Sequence, residues 1–192
     1  MSNRAQALKI VRRLRKEGYQ ALFAGGCVRD HLLGRAAKDY DVVTDARPDQ
    51  IVPLFGKTLK IGVQFGVIMV ILDGRQVEVA TFRTEGGYAD GRHPGHVEFV
   101  SAKEDAARRD FTVNGMFYDP IAGEVHDFVG GRDDLEKKIL RTIGDPRQRF
   151  GEDYLRLLRA VRFSVQLDFS IEGQTWEAIR EYSGRILSLI HI

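Results

Sequence analysis

The chain has 192 residues, 43% hydrophobic and 29% charged, which fits a folded protein with a sizeable core and excludes a disordered one. Lys and Arg number 29 against 27 Asp and Glu, so the net charge of +2 excludes a uniformly basic nucleic-acid binder, and any polyanion site must come from local clustering. A single cysteine excludes an internal disulfide, and no apolar run approaches the ~20 residues needed to cross a bilayer.

Met1 to Leu14 has no apolar signal region, and with the lone cysteine this leads to the expectation of a cytoplasmic protein. Leu8, Val11 and Leu14 recur at helical spacing, predicting a helix over 3–17 that stops at Gly18. Ala21 to Ala24 reads as a short strand ending in Gly25-Gly26, and 27–33 as a helix start with Val28, Leu32 and Leu33 inward. Tyr40 to Thr44 reads as a second strand, and Pro48 opens another helix through Phe55. Two apolar runs, Val67–Leu72 and Val77–Phe82, flank Asp73-Gly74 and predict a hairpin. The polar, Gly-rich stretch Arg83 to Pro94 reads as a mobile loop, Val97–Val100 as a strand, and Glu152–Phe163 as a helix. The sum is a mixed head with a small sheet, followed by helices.

Asp39 and Asp41 are two apart, so a strand starting near Asp39 puts both carboxylates on one face. Such a pair repels itself unless protonated or neutralised, and oxygen-only donors suit Mg²⁺. An isolated Asp-x-Asp is more often a turn or a solvated loop end, but its neighbours add weight. Gly25-Gly26 between strand and helix offers free N–H groups to an anion, and Arg29 adds positive charge for phosphate. A third acid, Glu78, sits mid-strand between Val77 and Val79. Three acids on adjacent strands around two ions would give the two-metal arrangement for in-line displacement at phosphorus.

Gly25-Gly26-Cys27-Val28-Arg29-Asp30, then Asp39-Tyr40-Asp41, then Glu78 resembles the polymerase-β nucleotidyltransferase superfamily. More narrowly it is similar to the class II tRNA CCA-adding enzymes and their poly(A) polymerase relatives, over roughly residues 5–185. The resemblance implies an α+β fold with a small mixed-sheet, polymerase-β-like head over residues 1–145 and the start of an all-helical neck over 146–186. It implies Asp39, Asp41 and Glu78 as the catalytic acids, with Asp39 and Asp41 holding two Mg²⁺ ions. It further implies ATP and CTP as substrates and the tRNA 3′ end as acceptor.

Arg108-Arg109-Asp110-Phe111-Thr112-Val113-Asn114 matches a family motif, which implies that Arg109 contacts the nucleotide and that Asp110 and Asn114 organise the site. By itself, adjacent Arg and Asp would read as a surface ion pair. Asp153, Arg156, Arg159 and Arg162 step by three beside an apolar row, Leu155, Leu158 and Val161. A solvated basic helix face would look the same, but the series matches the motif that selects the incoming base. Asp153 is acceptor-only and Arg156 donor-only, so the pair reads the amino group and ring nitrogen that cytosine and adenine share. Uracil and guanine would leave buried polar groups unpaired. Arg159 and Arg162 take nearby phosphate or structural roles by the same resemblance. The loop at Arg83–Pro94 resembles the one CCA-adding enzymes use in switching from C to A.

Ile61 to Gly66 looks CCA-type rather than like the basic segment of poly(A) polymerases, although an A-adding enzyme or a poly(A) polymerase stays open. A non-catalytic RNA- or nucleotide-binding relative is the remaining alternative, against which the three intact acids argue. Cys27 and the five histidines form no ligand-spaced cluster. Leu187 to Ile192 back-translates to a transposon sequencing adapter, giving the expectation of a non-native tail.

Overall fold

The computed structural model describes residues 2–87 and 95–186; the adapter-like hexapeptide and 88–94 of the expected loop lie outside them. Among the described residues no helix is long and apolar enough to cross a membrane.

Helix α1, Asn3–Lys16, is opened by Ser2, whose side chain accepts the Ala5 N–H, and closes on basic residues that suit its C-terminal end. Strand β1 (Ala21–Ala24) runs into α2 (Gly26–Leu32), then β2 (Asp41–Thr44) and the short α3 (Pro48–Ile51). Strand β3 (Thr58–Leu59) precedes the hairpin of β4 (Val67–Leu72) and β5 (Arg75–Thr81). Its Asp73-Gly74 turn has φ of 49° and 76°, the left-handed pair that a twisted two-residue turn requires. Next come β6 (Arg83–Gly86), β7 (His96–Phe99), α4 (Ala102–Arg108), β8 (Phe117–Asp119), β9 (Glu124–His126) and α5 (Gly131–Glu136). The chain continues through β10 (Ile139–Leu140), α6 (Pro146–Glu152), α7 (Leu155–Leu167), β11 (Ser170–Ile171) and α8 (Gly173–Tyr182).

The main sheet has the order β3-β4-β5-β2-β1-β8-β9, antiparallel except where β2 runs parallel to β5, so it is mixed as expected. Alternation along the strands splits the interior in two. Phe23, Val42, Val79, Ile68 and Val70 face α1, where Ala7, Ile10, Val11 and Leu14 are fully buried. Each such large apolar side chain contributes on the order of 1.5–3 kcal/mol. Leu22, Ala24, Val43 and Ala80 face the other way, against Ala102 and Ala106 of α4. That second face carries the site.

Two expectations change. Arg83–Gly86 is a strand paired with β7, not loop, because its polar side chains are held: Arg83 Nε donates to Glu85 at 2.9 Å, and Arg108 reaches the same carboxylate at 2.9 Å. The helix expected over Glu152–Phe163 is broken at Asp153, whose backbone is extended (φ −145°, ψ 104°) and whose carboxylate accepts the Leu155 N–H at 2.9 Å. An Asp that satisfies the open N–H groups of the next helix ends one and starts another.

Candidate active site

The floor is built by register. Val42 of β2 pairs with Val79 of β5, so Asp41 and Glu78, one residue earlier on parallel neighbours, stand side by side on the face shared by Val43 and Ala80. With Ala24 and Gly25 they line a cleft of about 390 Å³. Gly25 has φ of 71°, which a side chain rarely adopts, and a Cβ there would lie 3.6 Å from an Arg109 nitrogen.

Asp39 is not part of that strand. Its would-be partner segment has already ended: Ala24 pairs with Asp41, and at Gly25 the chain turns into α2. Tyr40 instead packs edge-on against Phe23, ring centroids 5.3 Å apart. Asp39 is exposed and lines two neighbouring clefts, not the one of Ala24 and Arg109. The expectation of both carboxylates on one strand face is therefore corrected. Asp41 nevertheless feels both acids. Although its residue surface is open, protein atoms crowd its carboxyl, and withdrawal from water, then Glu78 and Asp39, push its pKa up to about 6 against the opposing pull of Arg109. Among the described residues no three acids or histidines converge closely enough to form a ready metal cage.

The wall opposite is made of arginines. Arg109 Nε and Nη2 donate to Asp105 at 3.1 and 2.9 Å, and its guanidinium lies 4.9 Å from the Phe117 ring centre. Arg108 grips the other oxygen of Asp105 at 2.7 Å and donates to the Arg83 carbonyl. Asp105 is 1% exposed; burial is the largest single influence and pushes its carboxyl up, but Arg109, Arg108 and the Arg83 N–H together outweigh it and hold the carboxyl below the usual carboxylate range. Arg29 is buried, chelating Asp30 at 2.7 and 2.9 Å and donating to Asn114 at 2.8 Å. Asn114 leans on Asp110, which takes Arg159 at 2.8 Å. A chain of polar contacts thus ties α2 to α7. Arg83 lines the same cleft, and its buried Nη1 has no hydrogen-bond partner among the described residues.

Asp153 and Arg156 both line the cleft. They are not closely paired: Arg156 Nε is 4.0 Å from Asp153, while its Nη1 donates to Glu152 at 2.8 Å and to the Arg149 carbonyl at 3.0 Å. Arg162 does not line the cleft; it is exposed, its guanidinium 4.7 Å from the Phe163 ring centre. The apolar row beside it also faces out, Leu155, Leu158 and Val161 being 37%, 44% and 49% exposed. So the structure gathers Gly25, Gly26, Arg29, Asp41, Glu78, Arg109, Asp110, Asn114, Asp153, Arg156 and Arg159, and leaves Asp39 at the rim and Arg162 outside. Sequence reasoning missed Asp105, Glu85, Glu152 and Phe163. For Asp105 a signal existed, since i,i+3 and i,i+4 spacing to Arg108 and Arg109 puts it on their helix face.

A CCA-adding enzyme of Bacillus pumilus is 49% identical over 176 residues, 91% of this chain and 44% of its own length. The solved Bacillus stearothermophilus CCA-adding enzyme in complex with CTP superposes with a TM-score of 0.83 at 41% identity, covering 93% of this chain and 43% of that one. The Thermotoga maritima CCA-adding enzyme complexed with tRNA gives 0.75 at 27% identity, covering 92% and 41%. The chain therefore spans about 44% of the length of the curated relatives it matches. The family model for the poly A polymerase head domain matches residues 21–141, the stretch that builds the sheet floor and the Asp105–Arg109 wall, and the chain belongs to that family.

Proposed function

We propose that the chain is the catalytic part of a tRNA CCA-adding nucleotidyltransferase, residues 1–145 forming the head and 146–186 the start of the neck. It takes CTP and ATP and extends the tRNA 3′ end with C, C and A. The observation that carries the reading is a single cleft with Asp41 and Glu78 on its floor and Asp153 and Arg156 on its wall. Phosphoryl chemistry and base reading share one space the size of a nucleotide site. The relatives solved with CTP and with tRNA support these ligand classes.

The acids fit a hard divalent ion: the donors are oxygens only, and Asp41 is held up in pKa first by withdrawal from water and then by its acidic neighbours, a repulsion that a cation would relieve. Asp39 and Asp41 would hold two Mg²⁺ ions, with Glu78 completing the set. When bound, the ions lower the pKa of the attacking hydroxyl and neutralise the leaving group. The protein's own groups do the rest. Gly25 and Gly26 admit the phosphates close to the backbone, and Arg109, fixed by Asp105 and Phe117, faces them. Asp110 and Asn114 fix Arg159 and Arg29. Asp153 and Arg156 orient the base, Arg156 turning from Glu152 as it does so.

The test is incorporation onto tRNA lacking its terminus, with CTP and ATP singly and together. C, C and A in order is the expected result. Long A-tails from ATP alone would instead mark a poly(A) polymerase, the activity for which the family model is named. Calorimetric binding of CTP and ATP, with UTP and GTP excluded, gives a readout independent of turnover.

A further inference from the structure

The main sheet has two faces, and α1 lies on the one that the cleft does not use. Its apolar side chains, Ala7, Ile10, Val11 and Leu14, pack with Phe23, Val42 and Val79, whereas Asp41 and Glu78 share the face of Val43 and Ala80. The first turn of α1, at Asn3, reaches the end of the sheet where those two acids stand. From there the helix runs about 20 Å along the back of the sheet. Near its end Arg15 donates to the carbonyl of Ala21, at the far end of β1.

The solvent side of α1 is made of cations. Every exposed residue of Asn3–Lys16 is Arg or Lys: Arg4, Lys9, Arg12, Arg13 and Lys16. A solvated helix is ordinarily steadied by carboxylates in its first turn and by opposite charges one turn apart. Here the first turn holds no acid, and the pairs one turn apart, Lys9 with Arg13 and Arg12 with Lys16, are alike in sign. The helix dipole accounts for the cations of the last turn but works against Arg4 in the first. Asp73 takes Lys9 at 2.8 Å and Glu17 takes Arg13 at 3.3 Å. Arg4, Arg12 and Lys16 make no ion pair with a described residue. In a chain whose net charge is +2, this is a local excess that helix stability does not explain.

We propose that the outer face of α1 is a second RNA-binding surface, which holds the phosphates of helical RNA behind the sheet while the cleft in front takes the nucleotide and the 3′ end. Arg4, Arg12 and Lys16 lie on one ridge of the helix, with the half-buried Leu8 between the first two. Their charges follow a line about 18 Å long. A nucleic-acid strand presents a row of negative charge to such a line, and binding releases its counterions without reading sequence. A lipid surface fits less well, because a membrane-lying helix needs exposed apolar residues and those of α1 are buried in the core. Such a face keeps RNA close to the enzyme between successive additions. That RNA rather than another polyanion occupies it rests on the CCA-addition reading above; the charge excess itself does not.

The test is binding of a blunt RNA duplex, with no single-stranded 3′ end, to the full chain over a series of salt concentrations. In Arg4→Gln with Arg12→Gln and Lys16→Gln, the slope of log affinity against log salt should flatten by about two to three. Affinity at low salt should fall by about tenfold or more. The charge-keeping variant, Arg4→Lys with Arg12→Lys and Lys16→Arg, should behave as the wild type. Affinity for CTP should be the same in all three, and the melting temperature of the Gln variant should not fall, because it loses like charges rather than a partner. Lys57→Gln with Lys60→Gln and Lys137→Gln lowers the net charge equally at exposed sites elsewhere and should keep the slope. An unchanged slope in the α1 variant overturns the proposal. So does an equal loss in the scattered variant, which would make the effect one of net charge alone. Tighter binding to vesicles of anionic lipid than to the duplex would make α1 a membrane face and overturn it as well. A chain that binds the duplex yet takes up neither CTP nor ATP removes the nucleotidyltransferase reading and leaves this face standing.

Discussion

The floor and the wall of the cleft handle charge in opposite ways. On the floor, Asp41 and Glu78 stand together, and burial first, then the neighbouring acids, raise the pKa of Asp41 against the pull of Arg109. On the wall, each guanidinium is held by a carboxylate behind it, and Asp105 serves two at once. The wall's charges are matched within the protein; the floor's are not, which is what the proposed divalent ions would supply. The proposed function, a polyanion and a cation bound together, calls for both kinds of surface, and here they face each other across one cleft.

The sharpest way to break the comparison is Asp41→Ala. Incorporation should fall by about a thousandfold or more, the order expected when a group that organises phosphoryl transfer is removed. The fold should remain, as far-UV circular dichroism would report, and normal turnover would refute the role of the floor. On the wall, Asp105→Ala should cost stability instead, about 3–5 kcal/mol in denaturant melts, because two partly buried guanidinia lose their partner. Since its folded-state pKa lies below the ordinary value near 4, this pair stabilises the protein above that pH and stops doing so as pH falls through the lowered pKa. Asp105→Asn should therefore flatten the acid limb of the stability profile.

Asp153→Ala should leave chemistry possible but relax base choice, with discrimination against UTP and GTP falling by about ten- to a hundredfold in incorporation ratios. Asp41 makes a smaller and opposite pH effect. Its pKa is raised when folded, so metal-free stability should decline as pH rises from about 4 through about 6, where the folded state must give up a proton it holds more tightly than the unfolded chain. Added Mg²⁺ should remove the decline, and Asp41→Asn should abolish it. Arg162→Ala should be the mildest, within about twofold of wild-type incorporation, since that side chain lies on Phe163 outside the cleft.

What could be read from the sequence was what depends on near neighbours. The Asp73-Gly74 hairpin, α1 and the Gly25-Gly26 turn follow from local spacing and backbone freedom, and each lies where that spacing puts it. Glu78 could be found because a charge inside an apolar strand demands an explanation. Two readings went astray where sequence and environment separate. Leu155, Leu158 and Val161 have the spacing of a core stripe yet face solvent, so the run through Glu152 looked like one helix. The break is set by the Asp153 carboxylate turning onto the Leu155 N–H, a choice that helical periodicity cannot register. Glu85 was invisible for a different reason, since its partner Arg108 lies 23 residues away and meets it only when β6 and α4 pack together, whereas Glu152 had the same i,i+4 spacing to Arg156 that Asp105 has to Arg109.

The parallel pair β10–β11 has a practical consequence. Ile139 and Leu140 lie before the expected head boundary and Ser170 and Ile171 after it, and Phe111 meets Phe163 edge-on across the same line. One buried cluster holds Val42 and Val79 from the sheet together with Leu157, Ala160 and Ile179 from the last helices. Calorimetry should accordingly record one heat-absorption peak rather than two. An expression clone ended at residue 145 should yield inclusion bodies, because the line drawn through the sequence runs through the middle of a single cooperative unit.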